Sequence, residues 1–227
     1  MVRAENRATT KSFILITVPH TGTRFVRRFL RSILQAEYLA KGTMLYTKRG
    51  RTTVPTFAHI HPIQGYNASI VDNTKHLPLV TTLRHPYMHF LTTWDALIIS
   101  RGEKRVKAYS EAAWYNMIQI FPKYARTMVI PIDKQMPEEE RVTLLYKLAR
   151  FVGSDRLDTE TCTQLVEYAH AWHPEGTRGG YAIKTKYLEN GNMPCDMGFL
   201  DFAVSWYYEQ LEIYTESLYG TPPGSGD

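Results

Sequence analysis

The chain has 227 residues, a formal charge of +5 and 44% apolar residues, which is enough for one α/β domain with a full core. No apolar run reaches the ~18–20 residues that span a bilayer, and the polar stretch 1–11 lacks the apolar centre of a secretory signal. The two cysteines, Cys162 and Cys195, form no CxxC and fit a reducing, cytoplasmic home, while the modest positive charge suits an anionic ligand.

Residues 1–11 read as a loose arm. Phe13 to Val18 is a short β-branched apolar run, the pattern of a buried strand. After the turn Pro19-His20-Thr21-Gly22-Thr23, helical spacing begins, with Phe25, Val26, Phe29, Leu30, Ile33 and Leu34 on one stripe. Lys41 to Arg51 reads as a basic loop or hairpin edge. Thr53 to Ile60 is a second strand, running into His59-Ile60-His61-Pro62, and Gln64 to Lys75 is polar and turn-rich. Leu79 to Leu83 is a third strand, closed by Arg84-His85-Pro86, and proline at a first helical position starts a helix towards Ser100.

A basic patch, Arg101 to Lys107, leads to a helix around Tyr109–Phe121. Thr127 to Ile132 is a fourth strand. Pro137-Glu138-Glu139-Glu140 opens a helix with acids in its first turn, as the dipole favours, and that helix ends at Gly153. Asp158 caps a helix to about Trp172, with Cys162 on its apolar face. Residues 173–192 are glycine-rich and basic, a final helix covers about Asp196–Leu218, and the tail 221–227 reads as loose. Strands alternating with helices predict a three-layer α/β fold, its mostly parallel central sheet flanked by helices. In such sheets ligands gather at the carboxyl ends of the strands.

Three strand ends should therefore converge: Pro19–Thr23 with backbone donors, His59–His61 with imidazoles, and Arg84–Pro86 with a guanidinium. Strand, small-residue turn and helix together aim free amides and a positive helix end at an anion. The turn lacks the second glycine and the lysine of the ATP-binding G-x-x-x-x-G-K-[ST] loop, and Gly22 stands alone, so the dinucleotide fingerprint is missing too. Alternation puts His59 and His61 on one strand face, and spacing does not choose between them.

The turn resembles the 5′-phosphosulfate loop of the PAPS-dependent sulfotransferases, with Pro19, Thr21, Gly22, Thr23 and Phe25 in its pattern. It departs from that pattern at His20, where cytosolic members carry a catalytic lysine, and at Arg24, which replaces a hydroxyl. LVTTLRHPYMHFLTTW resembles the family's 3′-phosphate motif through Arg84, Pro86 and Thr92. VIPIDKQMPEEERVTLLYKLARFVG is similar to a later strand-turn-helix of the family. Arg178 in GTRGGYAIK is the local match to its C-terminal 3′-phosphate loop, without the usual R-K-G order and with Lys184 and Lys186 as alternatives.

The resemblance implies one sulfotransferase-like domain of P-loop type over residues 1–227. It implies PAPS as donor, PAP as product, and a small-molecule, carbohydrate or lipid acceptor with no nucleic acid. His59 or His61 would be the base, and His20, protonated, would stabilise the leaving oxygen with Arg24 as backup. Pro19 to Phe25, Arg84, Thr92 and Arg178 would hold the donor. Phe25 suits an adenine flank or the core equally.

Other readings of the same residues remain. His59 with His61, and His85 with His89 four apart, suit a metal-dependent hydrolase, although no carboxylate sits within these clusters. The basic stretches 41–51 and 101–107 suit a non-catalytic anion- or nucleic-acid-binding module. A nucleotide kinase is weakened by the missing Gly-Lys-Ser/Thr.

Overall fold

The computed structural model describes residues 12–32, 34, 36–39, 56–63, 68–132, 136–152, 163–164, 166–168 and 195–219. Five strands are formed there: β1 (Phe13–Ile16), β2 (Glu37–Leu39), β3 (Thr56–Ile60), β4 (Leu79–Leu83) and β5 (Thr127–Pro131). They make one sheet in the order β2-β3-β1-β4-β5, and every pairing in it is parallel. β1 is wholly apolar, and β3 and β4 carry His59, Thr81 and Thr82 among apolar residues; all but Thr56 of the three strands are buried, as in a parallel sheet covered on both faces. All four residues of β1 are buried, and Phe13 stacks on its register partner Phe57 with ring centroids 5.2 Å apart.

Among the described residues the sheet is covered by α1 (Thr23–Ser32), α2 (Ala68–Thr74), α3 (Pro86–Arg101), α4 (Glu103–Ile120), α5 (Glu138–Phe151) and α6 (Met197–Tyr219). Handedness decides which face each one takes. From β1 the chain moves through α1 to one edge of the sheet, while from β3 and β4 it moves through α2, α3 and α4 towards the other. Right-handed crossovers in opposite directions must lie on opposite faces. Accordingly Val26, Phe29 and Leu30 of α1 pack with Phe13 and Leu15 on one face, joined by Leu144 and Leu148 of α5. Ile14 and Ile16 meet Val71, Phe90, Trp114 and Trp206 of α2, α3, α4 and α6 on the other. The three-layer α/β reading from sequence holds, and the sheet is parallel throughout the described residues.

Three local expectations change. The polar segment Gln64–Lys75 contains α2, whose Val71 and Thr74 are buried; the Thr74 hydroxyl donates to the Ile70 carbonyl 2.6 Å away and meets the Tyr124 hydroxyl. The basic patch Arg101–Lys107 does not precede the next helix but is divided between two, with Arg101 ending α3. Gly102 turns the chain at φ 75° and α4 starts at once, so Lys104, Arg105 and Lys107 lie on its first turns around the buried Val106. The strand β2 was not anticipated; it is a three-residue edge, too short to show a period. Boundaries elsewhere shift by a few residues: β1 stops at Ile16 and β3 starts at Thr56.

Residues 163–164 and 166–168 are helical, in line with the helix expected after Asp158, although Asp158 and Cys162 lie outside the described residues. So do Arg178, Lys184, Lys186, the basic stretch 41–51, the stretch 173–192, the arm 1–11 and the tail 221–227. Cys195 is a buried free thiol, pushed up to about 12 by desolvation and then by Glu111 and Asp196. Among the described residues no helix is long and apolar enough to cross a membrane.

Candidate functional site

β1 and β4 are neighbours in the sheet, but the connection leaving β1 runs to the β2 edge and the one leaving β4 runs to the β5 edge. Diverging connections open a crevice outside the carboxyl ends of that strand pair. Two contacts cross the crevice floor. The Thr21 hydroxyl, fully buried, lies 2.6 Å from the Thr82 hydroxyl of β4 and donates to the Val18 carbonyl at 2.6 Å. Above them Arg84 Nη1 donates to the His20 carbonyl at 3.0 Å, with Arg84 only 5% exposed.

The turn itself is set by Gly22. Its φ of +78° is the left-handed region, and a Cβ there would come 2.6–2.9 Å from three side-chain atoms of Ile132. The tight approach lets the chain enter α1 immediately, where the amides of Phe25 and Val26 both bond the Gly22 carbonyl. The amides ahead of them, at Thr23 and Arg24, are the orphan donors of a helix start, at the positive end of its dipole. His20 also has a left-handed φ, 61°, uncommon for a side chain of its size, and its imidazole is exposed at the turn's tip.

The third strand end joins through Thr17. Its hydroxyl lies 2.9 Å from Thr23 Oγ1, 2.9 Å from His59 Nε2 and 3.5 Å from His61 Nδ1. His61 Nδ1 is also 2.8 Å from the Thr17 carbonyl oxygen. A carbonyl only accepts, so Nδ1 carries the proton of the neutral ring and Nε2 carries the lone pair. The rings of His59 and His61 meet edge to face with centroids 4.4 Å apart. Thus Gly22, His61 and Arg84 belong to one cluster, as the convergence of strand ends requires.

Its electrostatics are one-sided. His20 is held below the ordinary histidine pKa, first by desolvation among the surrounding protein atoms and then by His61, Arg84 and Arg24. Below the turn lies His89, fully buried on α3. Trp114 Nε1 donates to His89 Nδ1 at 2.8 Å, which leaves the proton on Nε2, 3.1 Å from Thr93 Oγ1. Burial, then His20 and Arg84, push the His89 pKa down to about 3 against a hydrogen bond to the Pro19 backbone. His89 is therefore a neutral prop under the first residue of the turn.

Other expected site residues have defined places. The Thr92 hydroxyl donates back to the Met88 carbonyl at 2.8 Å on α3. Phe25 is half-buried against the α1–α5 core, 6.0 Å from the Tyr168 ring, and Arg24 is exposed beside the turn. Pro19 is buried. His85 and His89 do not face each other: His85 packs on the rings of Tyr207 and Tyr208, at 5.1 and 5.9 Å, while His89 is committed to Trp114 and Thr93. Among the described residues no group of three or more His, Cys, Asp or Glu side chains is placed to hold a metal ion. Sequence reasoning missed Thr17, Thr82, Trp114 and the propping role of His89. Thr17 and Thr82 carried one available signal, a hydroxyl at the end of an otherwise apolar strand.

No protein-family profile matches the chain, and no curated protein matches it. Among solved structures it is similar to the crystal structure of mouse sulfotransferase SULT7A1 complexed with PAP, at 8% sequence identity and a TM-score of 0.49. The match covers 92% of this chain and 84% of that one.

Proposed function

We propose that the chain is a sulfotransferase-like enzyme that moves a sulfuryl group from PAPS to a hydroxyl or amine acceptor. The observation that carries this reading is the convergence of the Gly22 turn, His61 and Arg84 at a crevice whose charges are cationic. The donor set fits a nucleotide with a phosphosulfate at one end and a phosphate at the other. The orphan amides at the start of α1 suit the 5′-phosphosulfate, and the planar donors of Arg84, with the Thr92 hydroxyl on the following helix, suit the 3′-phosphate. Arg178 would add to the 3′-phosphate end as the resemblance implies.

His61 is the base in this reading. Its Nδ1 proton is fixed on the Thr17 carbonyl, so Nε2 is the nitrogen able to take the acceptor's proton as the sulfuryl group transfers and PAP leaves. His59 orients Thr17 from a buried position. Arg24 and His20 face the turn where negative charge develops on the leaving oxygen. Acceptors would be small molecules, carbohydrates or lipids.

Calorimetry with PAP tests the whole scheme. The native chain should bind PAP, and Arg84→Ala should weaken it roughly 30-fold or more, since truncating one partner of a desolvated charge pair costs about 2–5 kcal/mol. Unchanged affinity would remove Arg84 from the site, and no binding by the native chain would remove the PAPS reading.

A further inference from the structure

We infer that His20 acquires its charge from the ligand: an anion seated on the Pro19–Thr23 turn draws a proton from solvent onto the imidazole, so binding and proton uptake are one event. The inference rests on the PAPS reading for its choice of ligand, and on geometry for its substance. His20 sits at the tip of the turn with φ 61°, its own carbonyl held by Arg84. The charged and titratable groups acting with it come from each neighbouring element: His61 after β3, Arg84 after β4, Arg24 on α1 and His89 on α3. Among the described residues, two of these groups are permanent cations, two are imidazoles, and none is an acid. A second positive charge in this company is repelled, in keeping with the depressed pKa of the ring in the free protein.

A phosphate or phosphosulfate end reverses the balance, because an opposite charge within about 4–6 Å favours the charged form. Three consequences follow from linkage. PAP affinity rises as pH falls through the ligand-bound pKa of His20, by up to about tenfold per unit, and levels off below the free-protein pKa. The turn is uncharged at its tip when empty and cationic when occupied. A histidine here therefore releases the nucleotide as pH rises, which a lysine, charged throughout this range, would not do.

The test is calorimetry of PAP binding to the full chain, run at several pH values and in buffers of different ionisation enthalpy, with His20→Asn alongside. Asparagine tolerates the left-handed φ, so the turn is kept. PAP loses protons of its own on meeting cations, and the difference between the two proteins isolates His20. The native chain should take up more protons than the variant, by up to about one per PAP, and only the native chain should tighten steeply towards pH 6. PAP binding with equal proton counts and parallel pH profiles overturns the inference and leaves the PAPS reading standing. No PAP binding by the native chain overturns both. Should His20→Asn fail to fold, ring NMR of the native chain decides: one histidine must pass from neutral to charged on adding PAP near neutral pH, and no such change refutes the coupling.

Discussion

His59 is 6% exposed with Nε2 on the Thr17 hydroxyl, whereas His61, two residues further on, is half-buried with Nδ1 on the Thr17 carbonyl. Both leave β3 on the same face and touch the same threonine. The difference is the nearer Thr17 atom: the hydroxyl for His59 Nε2 at 2.9 Å, but for His61 Nδ1 the carbonyl at 2.8 Å, with the hydroxyl at 3.5 Å. A hydroxyl can donate or accept and leaves the tautomer of His59 open, but a carbonyl can only accept and fixes that of His61. A fixed tautomer at a half-open position is what a general base requires, while a buried ring on a hydroxyl hub is a brace.

Exchanging each histidine for glutamine tests this division most severely. His61→Gln should lower the rate of sulfuryl transfer by about 10²–10⁴-fold, the usual contribution of a positioned base, with a small change in unfolding midpoint. His59→Gln should act the other way, lowering stability by about 1–3 kcal/mol through a disturbed buried hydrogen bond and reducing the rate far less. Urea unfolding and transfer assays on both variants would settle it. If the His59 variant folds normally and is inactive while the His61 variant keeps its rate, the roles are reversed.

The same contrast between a working surface and its support runs through the turn. Gly22→Ala would force a Cβ into Ile132 and a side chain into a strained φ, so a loss of about 2–4 kcal/mol is expected. PAP binding should be lost with it, because the Thr23 and Arg24 amides would be displaced. A fully stable alanine variant would show that Ile132 gives way and that the turn is not locked.

Much of this was legible before any coordinates. The apolar run FILI and the β-branched run LVTTL announced buried parallel strands, and the strand-end rule brought the Gly22 turn, His61 and Arg84 together because topology alone dictates where strands finish. What was hidden depended on partners distant in sequence. Thr17 looks like the next residue of a strand until His59 and His61, more than 40 positions on, close upon it. His89 suggested a metal pair with His85, since spacing cannot reveal that Trp114, 25 residues away, takes one of its nitrogens. α2 was obscured because a seven-residue helix shows under two turns of periodicity.

His89 extends the comparison from the crevice to its floor. Its folded pKa of about 3 lies below the ordinary 6.5, so the unfolded chain takes up the proton first as pH falls. Stability from this group is complete above about pH 6.5 and is lost towards pH 3, at roughly 1.4 kcal/mol per unit at the steepest. His89→Gln, which can still accept from Trp114 and donate to Thr93, should cost about 1–2 kcal/mol at pH 7.5 and flatten the acid limb. Urea midpoints at pH 7.5, 5.5 and 4.5 measure both effects. Parallel limbs for the two proteins would mean that other groups govern acid stability and that His89 is charged well before pH 3.

Thr92 sharpens the comparison at its quiet end. Its hydroxyl donates to the Met88 carbonyl one turn back, a bond that contributes little because the carbonyl already serves the helix. Thr92→Val keeps the branched shape and should change stability by no more than about 0.5 kcal/mol. The small structural cost is what makes the variant informative. Any loss of PAP affinity then reports a contact made only when ligand is present, with the hydroxyl turning from Met88 to a phosphate oxygen, and a loss of about 1 kcal/mol, roughly fivefold in affinity, is expected. Affinity equal to that of the native chain would take Thr92 out of the 3′-phosphate grip, leave Arg84 as its anchor among the described residues, and make Thr92 a helix residue like its neighbours.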